Sequence, residues 1–405
     1  MKKTKFICIA GKNNIAVDVL DYLIKNYCDK ENVGIICNKT ERGVNGWQRS
    51  LRLFAEVNEI REYKLEEVYS ISNLIFISLE FDQIVRPERF APDARLYNIH
   101  FSLLPQYKGM YTSTLPILNG EEYVGVTFHK IDRGIDTGDI IKQKKFILKN
   151  TCTSRELYFQ YLKYGTELVL ECMEDVIDNK IKAFPQPMAG STYYSKKALD
   201  YNNLEIDLNQ TACGIDRQIR AYSFREYQLP EVYGRSIISS RLTTVRSKEK
   251  PGTVLLQNGQ GMVLATVDYD IMLYFDRFHE VMKACREGDL QTVMEICTVP
   301  EHINAADERG WTPLIVATYN GYEKIVNYLI LNGADIHARN NNGTTLLMYA
   351  KDAWCDKKNK NIFKTYVKLG LSAKECDYNG KNLHDYLPKE KEEEINEMEE
   401  MINGR

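Results

Sequence analysis

"RLYNIHFSLLPQYKG", residues 95–109, is the stretch whose reading decides the fold. It begins as an apolar strand, but Asn98 and His100 interrupt it two residues apart and a proline-bearing loop follows at once. Residues i and i+2 of a strand face the same way, so these two side chains project side by side. At the carboxyl end of a strand in an open parallel sheet they overlook the crevice where such folds bind ligands. A histidine there equally serves as a hydrogen-bonded structural residue, so the pair alone does not decide a function.

Upstream, "KFICIAG" (5–11), "VGIICN" (33–38) and "LIFISLE" (74–80) also read as strands. "NNIAVDVLDYLIKNYC" (13–28) and "NGWQRSLRLFAEVNEI" (45–60) carry apolar residues at helical spacing between them. This alternation predicts an α/β domain with a mostly parallel, helix-covered, Rossmann-like sheet. The first loop, "AGKNN", is not a dinucleotide fingerprint, and "NGQG" (258–261) reads as a hairpin turn. Downstream come "GVTFHKI" (125–131), "IIKQKKFIL" (140–148) and a long helix over about 154–177. The Pro/Gly/Ser-rich segment 184–200 reads as a linker, and 200–275 as a short helix followed by a small β-rich, barrel-like domain. Expected boundaries are 1–183, 184–275 and 276–405.

The last 130 residues repeat. Gly310, Gly343 and Gly380 open similar turn–helix–helix units, and "GWTPLIVATYNGYEKIVNYLILNGAD" has the ankyrin pattern and period. Residues 279–307 read as a degenerate capping repeat, and "PKEKEEEINEMEEM" (388–401) as a solvated terminal helix face. All-α ankyrin repeats speak for fold and say little about function.

Composition narrows the classes. A net charge of -3 gives no general pull toward nucleic acid or an anionic membrane. No run approaches the roughly 18 apolar residues of a membrane span. The opening "MKKTKFICIAGKNN" reads as a first strand rather than a signal peptide. The ten cysteines show neither CxxC pairs nor zinc spacing, so buried thiols such as Cys8 and Cys37 and a reducing cytoplasmic location are expected, with no metal.

A second polar cluster lies in "HKIDRGIDTGDII", where Asp132, Asp136 and Asp139 crowd a glycine-rich loop. Asp and Gly favour turns in any case. The spacing is not that of a calcium loop, and no GxSxG elbow presents a nucleophilic serine.

Taken together, "N-x-H-x-S-L-L-P-x-Y-x-G" and "G-V-T-x-H-x-x-D-x-G-I-D-T-G-D-I" closely resemble the formyltransferase family that uses N10-formyltetrahydrofolate. The resemblance spans about 1–275, with "KPGTVL" resembling the start of the family's small C-terminal barrel. It implies a catalytic trio of Asn98, His100 and Asp136. In that chemistry an amine attacks the formyl carbon, Asn98 and His100 meet the developing oxyanion, and Asp136 charge-stabilises His100 or draws a proton. The resemblance also implies that Asp132, Gly134 and Ile135, with Phe81, Asp82 and Ile84 of "SLEFDQI", hold the folate.

Among the family's acceptors, methionyl-tRNA calls for a basic groove that this slightly acidic chain does not advertise. "NGWQRSL" (45–51), "LLPQYKGMYTSTLPILNGE" (103–121) and "IRAYSFREYQLPEV" (219–232) are similar to sugar N-formyltransferases acting on dTDP-linked amino-dideoxy sugars. That resemblance implies 3-amino-3,6-dideoxyglucose or a 4-amino sugar as acceptor, a role in cell-surface polysaccharide (O-antigen) assembly, and a homodimer. Trp47, Tyr222, Phe224 and Tyr227 offer flat faces for base or hexose, Lys108, Arg220 and Arg225 charge for the diphosphate, and Gln48, Tyr111 and Thr112 further contacts. The ankyrin face is expected to bind a protein or a second nucleotide sugar, with Trp311 as the candidate second ligand site. The rival reading is an ankyrin adaptor carrying an inactive formyltransferase-like domain.

Overall fold

The computed structural model describes residues 5–201, 204–387 and 392–404. The chain forms two compact units, 1–230 and 231–405. In the first, strands β1 (Phe6–Gly11), β2 (Val33–Cys37), β3 (Arg61–Glu62), β4 (Leu74–Leu79) and β5 (Arg95–His100) pair in parallel. After the short β6 (Lys108–Gly109), β7 (Tyr123–Lys130) and β8 (Ile140–Ile147) complete the sheet antiparallel, in the order β3-β2-β1-β4-β5-β7-β8.

The apolar runs alternate as a two-sided sheet requires. Ile7, Ile9, Ile75, Ile77, Tyr97, Ile99, Val126 and Phe128 share one core with α1 (Asn13–Asn26) and α4 (Ser154–Asp178). Cys8, Ala10, Phe76 and Leu96 fill a second core with Phe90. Asn98 and His100 fall on the register of Leu96, and His129, two residues from Thr127, is the cross-strand partner of Asn98. Burial of each large aliphatic side chain contributes about 1.5–3 kcal/mol, so a one-residue slip that exchanged these faces would be strongly disfavoured.

Helix α4 is started by reciprocal bonds, Thr153 Oγ1 accepting from Glu156 N and Glu156 Oε2 accepting from Thr153 N, and stopped by Asn179 at φ 58°. Strand order reverses between β1 and β4, where the backbones close on each other. A Cβ on Gly11 would lie 1.8 Å from the Leu79 carbonyl oxygen, so only glycine fits.

Two expectations for the first unit change. The helix expected over 45–60 is only α2 (Leu51–Val57), because Ser50 caps it by accepting from Leu53 N. Residues 45–50 instead form a loop. The expected linker at 184–200 contains β9 (Tyr193–Tyr194), which pairs with β6, and Gln186 donates to the Asp136 and Gly138 carbonyls. α3 (Leu115–Asn119) and α5 (Ala212–Tyr222) complete the unit.

The second unit holds an antiparallel sheet of β10 (Glu231–Val232), β11 (Arg235–Leu242), β12 (Val254–Gln257), β13 (Gly261–Leu264) and β14 (Ile271–Phe275), ordered β10-β11-β14-β13-β12. The "NGQG" turn joins β12 to β13, with Asn258 Oδ1 accepting from Gln260 N and Gly261 N. Helix pairs follow: α6 (Phe278–Glu287) with α7 (Leu290–Ile296), α8 (Pro313–Asn320) with α9 (Glu323–Leu331), and α10 (Leu346–Lys357) with α11 (Lys360–Lys368). The terminal α12 (Glu392–Ile402) is not simply solvated: Met398, Met401 and Ile402 pack into the repeat core. Residues 388–391 of that expected tail lie outside the described residues. Among the described residues no helix is long and apolar enough to cross a membrane.

Candidate active site

A cleft of about 650 Å³ opens at the carboxyl ends of β4 and β5 and is walled by the loop after β7. Asn98, His100 and Asp136 all line it. So do Phe81, Asp82, Ile84, Asp132, Gly134, Ile135 and Thr112. Asp136 reaches the strand end because its loop turns through φ 54° at that residue. Its Oδ2 accepts from Gly109 N at 2.9 Å and lies 3.5 Å from His100 Nδ1. Its Oδ1 accepts from Asn98 Nδ2 at 3.3 Å and lies 3.6 Å from His129 Nε2.

The hydrogen bonds set the histidine tautomers. His100 Nε2 donates to the Tyr107 carbonyl at 2.7 Å, leaving Nδ1 as the basic face toward Asp136. His129 Nδ1 donates to the Lys130 carbonyl at 2.7 Å, so its Nε2 accepts the other Asn98 N–H at 3.0 Å. Burial pushes the pKa of His100 down, partly opposed by Asp136. Burial alone would raise that of Asp136, but His100, the His129 contact and the Gly109 N–H outweigh it and hold the carboxyl at about 2. The resting site is therefore a neutral imidazole beside a carboxylate. A proton arriving at His100 Nδ1 meets an anion, and any oxyanion formed near Asn98 meets an amide donor.

His129 carries no role in the sequence reading, although it sits inside the quoted motif; its signal is strand alternation opposite Asn98. Glu80, Met110, Tyr193 and Lys196 also line the cleft. Tyr193 and Lys196 sit in the expected linker, which no local pattern marks as a wall. Asp132 holds its own loop, accepting from Gly134 N and Thr137 Oγ1. Asp82 Oδ2 accepts from Lys39 N.

The acceptor candidates divide. Trp47, Gln48 and Tyr227 line a neighbouring pocket of about 390 Å³, together with Lys12, Arg42 and Arg49. The Trp47 ring packs edge-on against Phe224 and Tyr227, at 5.6 and 5.9 Å. Phe224 is buried beneath it, and Arg225 is half-buried in the same turn. Tyr111 donates to the Lys196 and Leu199 carbonyls, and Lys108 lies on β6, paired with Tyr193. Lys108, Tyr111, Arg220, Tyr222, Phe224 and Arg225 line neither cavity. Arg220 is held by Asp216 and the Cys152 carbonyl, to both of which it donates, and Tyr222 lies in the core on the buried side of α5. In the second unit Trp311 is half-buried, edge-on to Tyr319 and Tyr349, with the Arg309 guanidinium 5.3 Å from its ring. Among the described residues no His, Cys, Asp or Glu cluster could hold a metal ion.

Residues 4–173 match the formyl transferase family model, and 281–382 match a model of three ankyrin repeats. A methionyl-tRNA formyltransferase of Fervidobacterium nodosum is 30% identical over 285 residues, 65% of this chain and 87% of that one. WlaRD, a sugar 3-N-formyltransferase solved with dTDP and 5-N-formyl-tetrahydrofolate, is 41% identical, with TM-score 0.63 over 68% of this chain and 98% of that one. The N-formyltransferase of Helicobacter canadensis, solved with folinic acid and dTDP-3-aminofucose, is also 41% identical, with TM-score 0.63 over 67% of this chain and 100% of that one. The chain therefore belongs to the formyltransferase family, with ankyrin repeats at its C-terminal end.

Proposed function

We propose that the protein transfers the formyl group of N10-formyltetrahydrofolate to the amine of a dTDP-linked amino-dideoxyhexose, with 3-amino-3,6-dideoxyglucose as first choice and a 4-amino sugar as second. The observation that carries the reading is the Asn98–His100–Asp136 cluster in a cleft of a size suited to a folate. Two relatives at 41% identity whose ligands are a formyl-folate and a dTDP compound support it.

The amine attacks the formyl carbon, forming the new C–N bond and placing negative charge on the formyl oxygen. The longer Asn98 N–H contact, at 3.3 Å to Asp136, is the one that oxygen takes over, while His129 keeps the amide oriented. His100 Nδ1 accepts the amine proton, stabilised by Asp136, and returns it to N10 as the C–N10 bond breaks. The flat walls of Trp47 and Tyr227 and the cations of the adjoining pocket suit a nucleotide diphosphate.

The test is formyl transfer from N10-formyltetrahydrofolate to a panel of dTDP-3- and 4-amino sugars, with methionyl-tRNA run in parallel. Transfer to a sugar amine is expected. Transfer to methionyl-tRNA alone, or no transfer at all, sinks the reading, the latter in favour of the adaptor.

The aromatic cluster at Trp311, flanked by Arg309, favours a second ligand site on the repeats. Calorimetry of the full chain with dTDP should count two sites, and one in Trp311→Ala. A single site in the unaltered chain removes this second reading.

A further inference from the structure

Glu80 follows β4 at the point where strand order reverses, with its backbone at φ 59°. It lines the cleft, yet it is neither one of the trio nor a residue the folate and acceptor assignments use. Its carboxylate accepts from Tyr158 Oη at 2.8 and 2.9 Å and from Asn13 Nδ2 at 3.1 Å. These donors are neutral; burial pushes the Glu80 pKa up, opposed by Lys12 through space and by the Tyr158 and Asn13 donors. Two neutral donors, the Tyr158 hydroxyl shared between both carboxylate oxygens and the Asn13 amide, hold an acid that burial alone would disfavour.

What those bonds accomplish is direction. A carboxylate only accepts, so the Tyr158 hydroxyl must donate to it. The Tyr158 oxygen is then left to accept, and it does so from Gln48 Nε2 at 2.8 Å and Asn13 Nδ2 at 3.0 Å. Gln48 Oε1 is turned to Asn14 N at 3.2 Å. Asn13 Nδ2 is thus turned toward Glu80 and Tyr158 together. The Asn13 carbonyl oxygen and the second Gln48 N–H remain for the pocket that both residues line, beside Trp47. The carboxylate thus sets which face Asn13 presents, while the Asn14 N–H holds that of Gln48. On the other side, the Glu80 main-chain carbonyl accepts from Asn38 Nδ2 at 2.8 Å, and Asn38 Oδ1 accepts from Asp82 N at 3.3 Å in the candidate folate loop.

We propose that Glu80 is a positioning residue for the acceptor nucleotide: directly and through Tyr158 it orients Asn13, beside a Gln48 held by Tyr158 and the Asn14 N–H, so that the Trp47 pocket presents one fixed acceptor and one fixed donor. This deepens the reading given under Proposed function and rests on it. Toward the candidate folate loop Glu80 acts through its main-chain carbonyl, so folate and dTDP titrations test the two roles separately.

The test is calorimetric titration of the full chain with dTDP and, separately, with 5-formyltetrahydrofolate. Glu80→Gln keeps the shape but can donate as well as accept, and so releases the direction of the chain. It should weaken dTDP binding about tenfold, the worth of a misdirected buried hydrogen bond, and leave folate binding within about twofold. Tyr158→Phe should do the same, and the double variant should be no worse than either single one. Unchanged dTDP affinity in Glu80→Gln, or equal loss of both ligands, overturns this inference and leaves the reaction assignment standing. An unaltered chain that binds folate but no dTDP overturns both.

Discussion

Two cavities of the first unit, side by side in sequence terms, are built on opposite principles. The cleft at the ends of β4 and β5 concentrates buried polar groups whose partners are almost all one another: Asn98 to Asp136 and His129, His100 to Asp136 and Tyr107. The Trp47 pocket has aromatic walls, with Lys12, Arg42 and Arg49 around them. A closed polar network in low dielectric fixes charge and proton positions, which is what bond making needs. Flat apolar faces with cations at the rim hold a ligand without acting on it. Under the proposed assignment chemistry and recognition lie in separate cavities, and substitutions should separate them kinetically.

The largest effect belongs to the polar cleft. Asp136→Asn keeps the shape of the side chain but removes the charge facing His100 Nδ1. With the preferred amino sugar, kcat should fall about 10²-fold or more while the acceptor KM moves little, since the lost interaction matters most when the imidazole is protonated. Steady-state kinetics read this directly. A change confined to KM would mean that the cleft is a binding site and the contrast is misplaced.

Trp47→Ala should show the reverse pattern. Its ring contacts with Tyr158, Phe159, Phe224 and Tyr227 shape the pocket wall. The acceptor KM is expected to rise about tenfold, the scale of one lost aromatic face, with kcat held within a few fold. A kcat loss matching that of Asp136→Asn would join the two cavities into one functional unit.

The polar cleft was largely legible in the sequence and the pocket only partly, for a physical reason. Strand alternation is strictly two-residue, so Asn98 and His100 had to share a face, and the same rule reaches His129 once β7 is laid antiparallel to β5. The repeats were legible through their period. The pocket depends on loops, where no period exists. The apolar spacing of residues 45–60 suggested a helix over the part that in fact carries Trp47 and Gln48, because the Ser50 cap competes locally with helical spacing. Arg220 and Tyr222 were placed by their type, but Asp216 and the Cys152 carbonyl engage the first and the core takes the second. Tyr193 and Lys196 reach the cleft only through the pairing of β9 with β6, a contact over about 85 residues that composition hides. Glu80 was passed over as the polar end of a strand.

The smallest expected effect concerns pH and again distinguishes the two cavities, since the opposed shifts lie in the polar cleft. His100 has a folded pKa below its ordinary 6.5. Between those values the unfolded chain binds more protons, so stability is full above 6.5 and declines as pH falls below it. Asp136 goes from 3.8 unfolded to about 2 folded, so its contribution is full above 3.8 and is lost as pH falls toward 2. The two windows do not overlap at their upper edges, and one substitution moves them in opposite senses. Asp136→Asn abolishes the acidic window outright. It also removes the charge that props up the His100 pKa, so folded His100 resists protonation further and the loss below 6.5 becomes steeper. Urea midpoints for the two chains at intervals from pH 7.5 to 4.5 measure the slope, with every titration outside the cleft common to both. A steeper decline in Asp136→Asn is expected. A shallower one would mean that His100 is held charged rather than neutral, and that the proton in this cleft starts on the imidazole instead of arriving there from the amine.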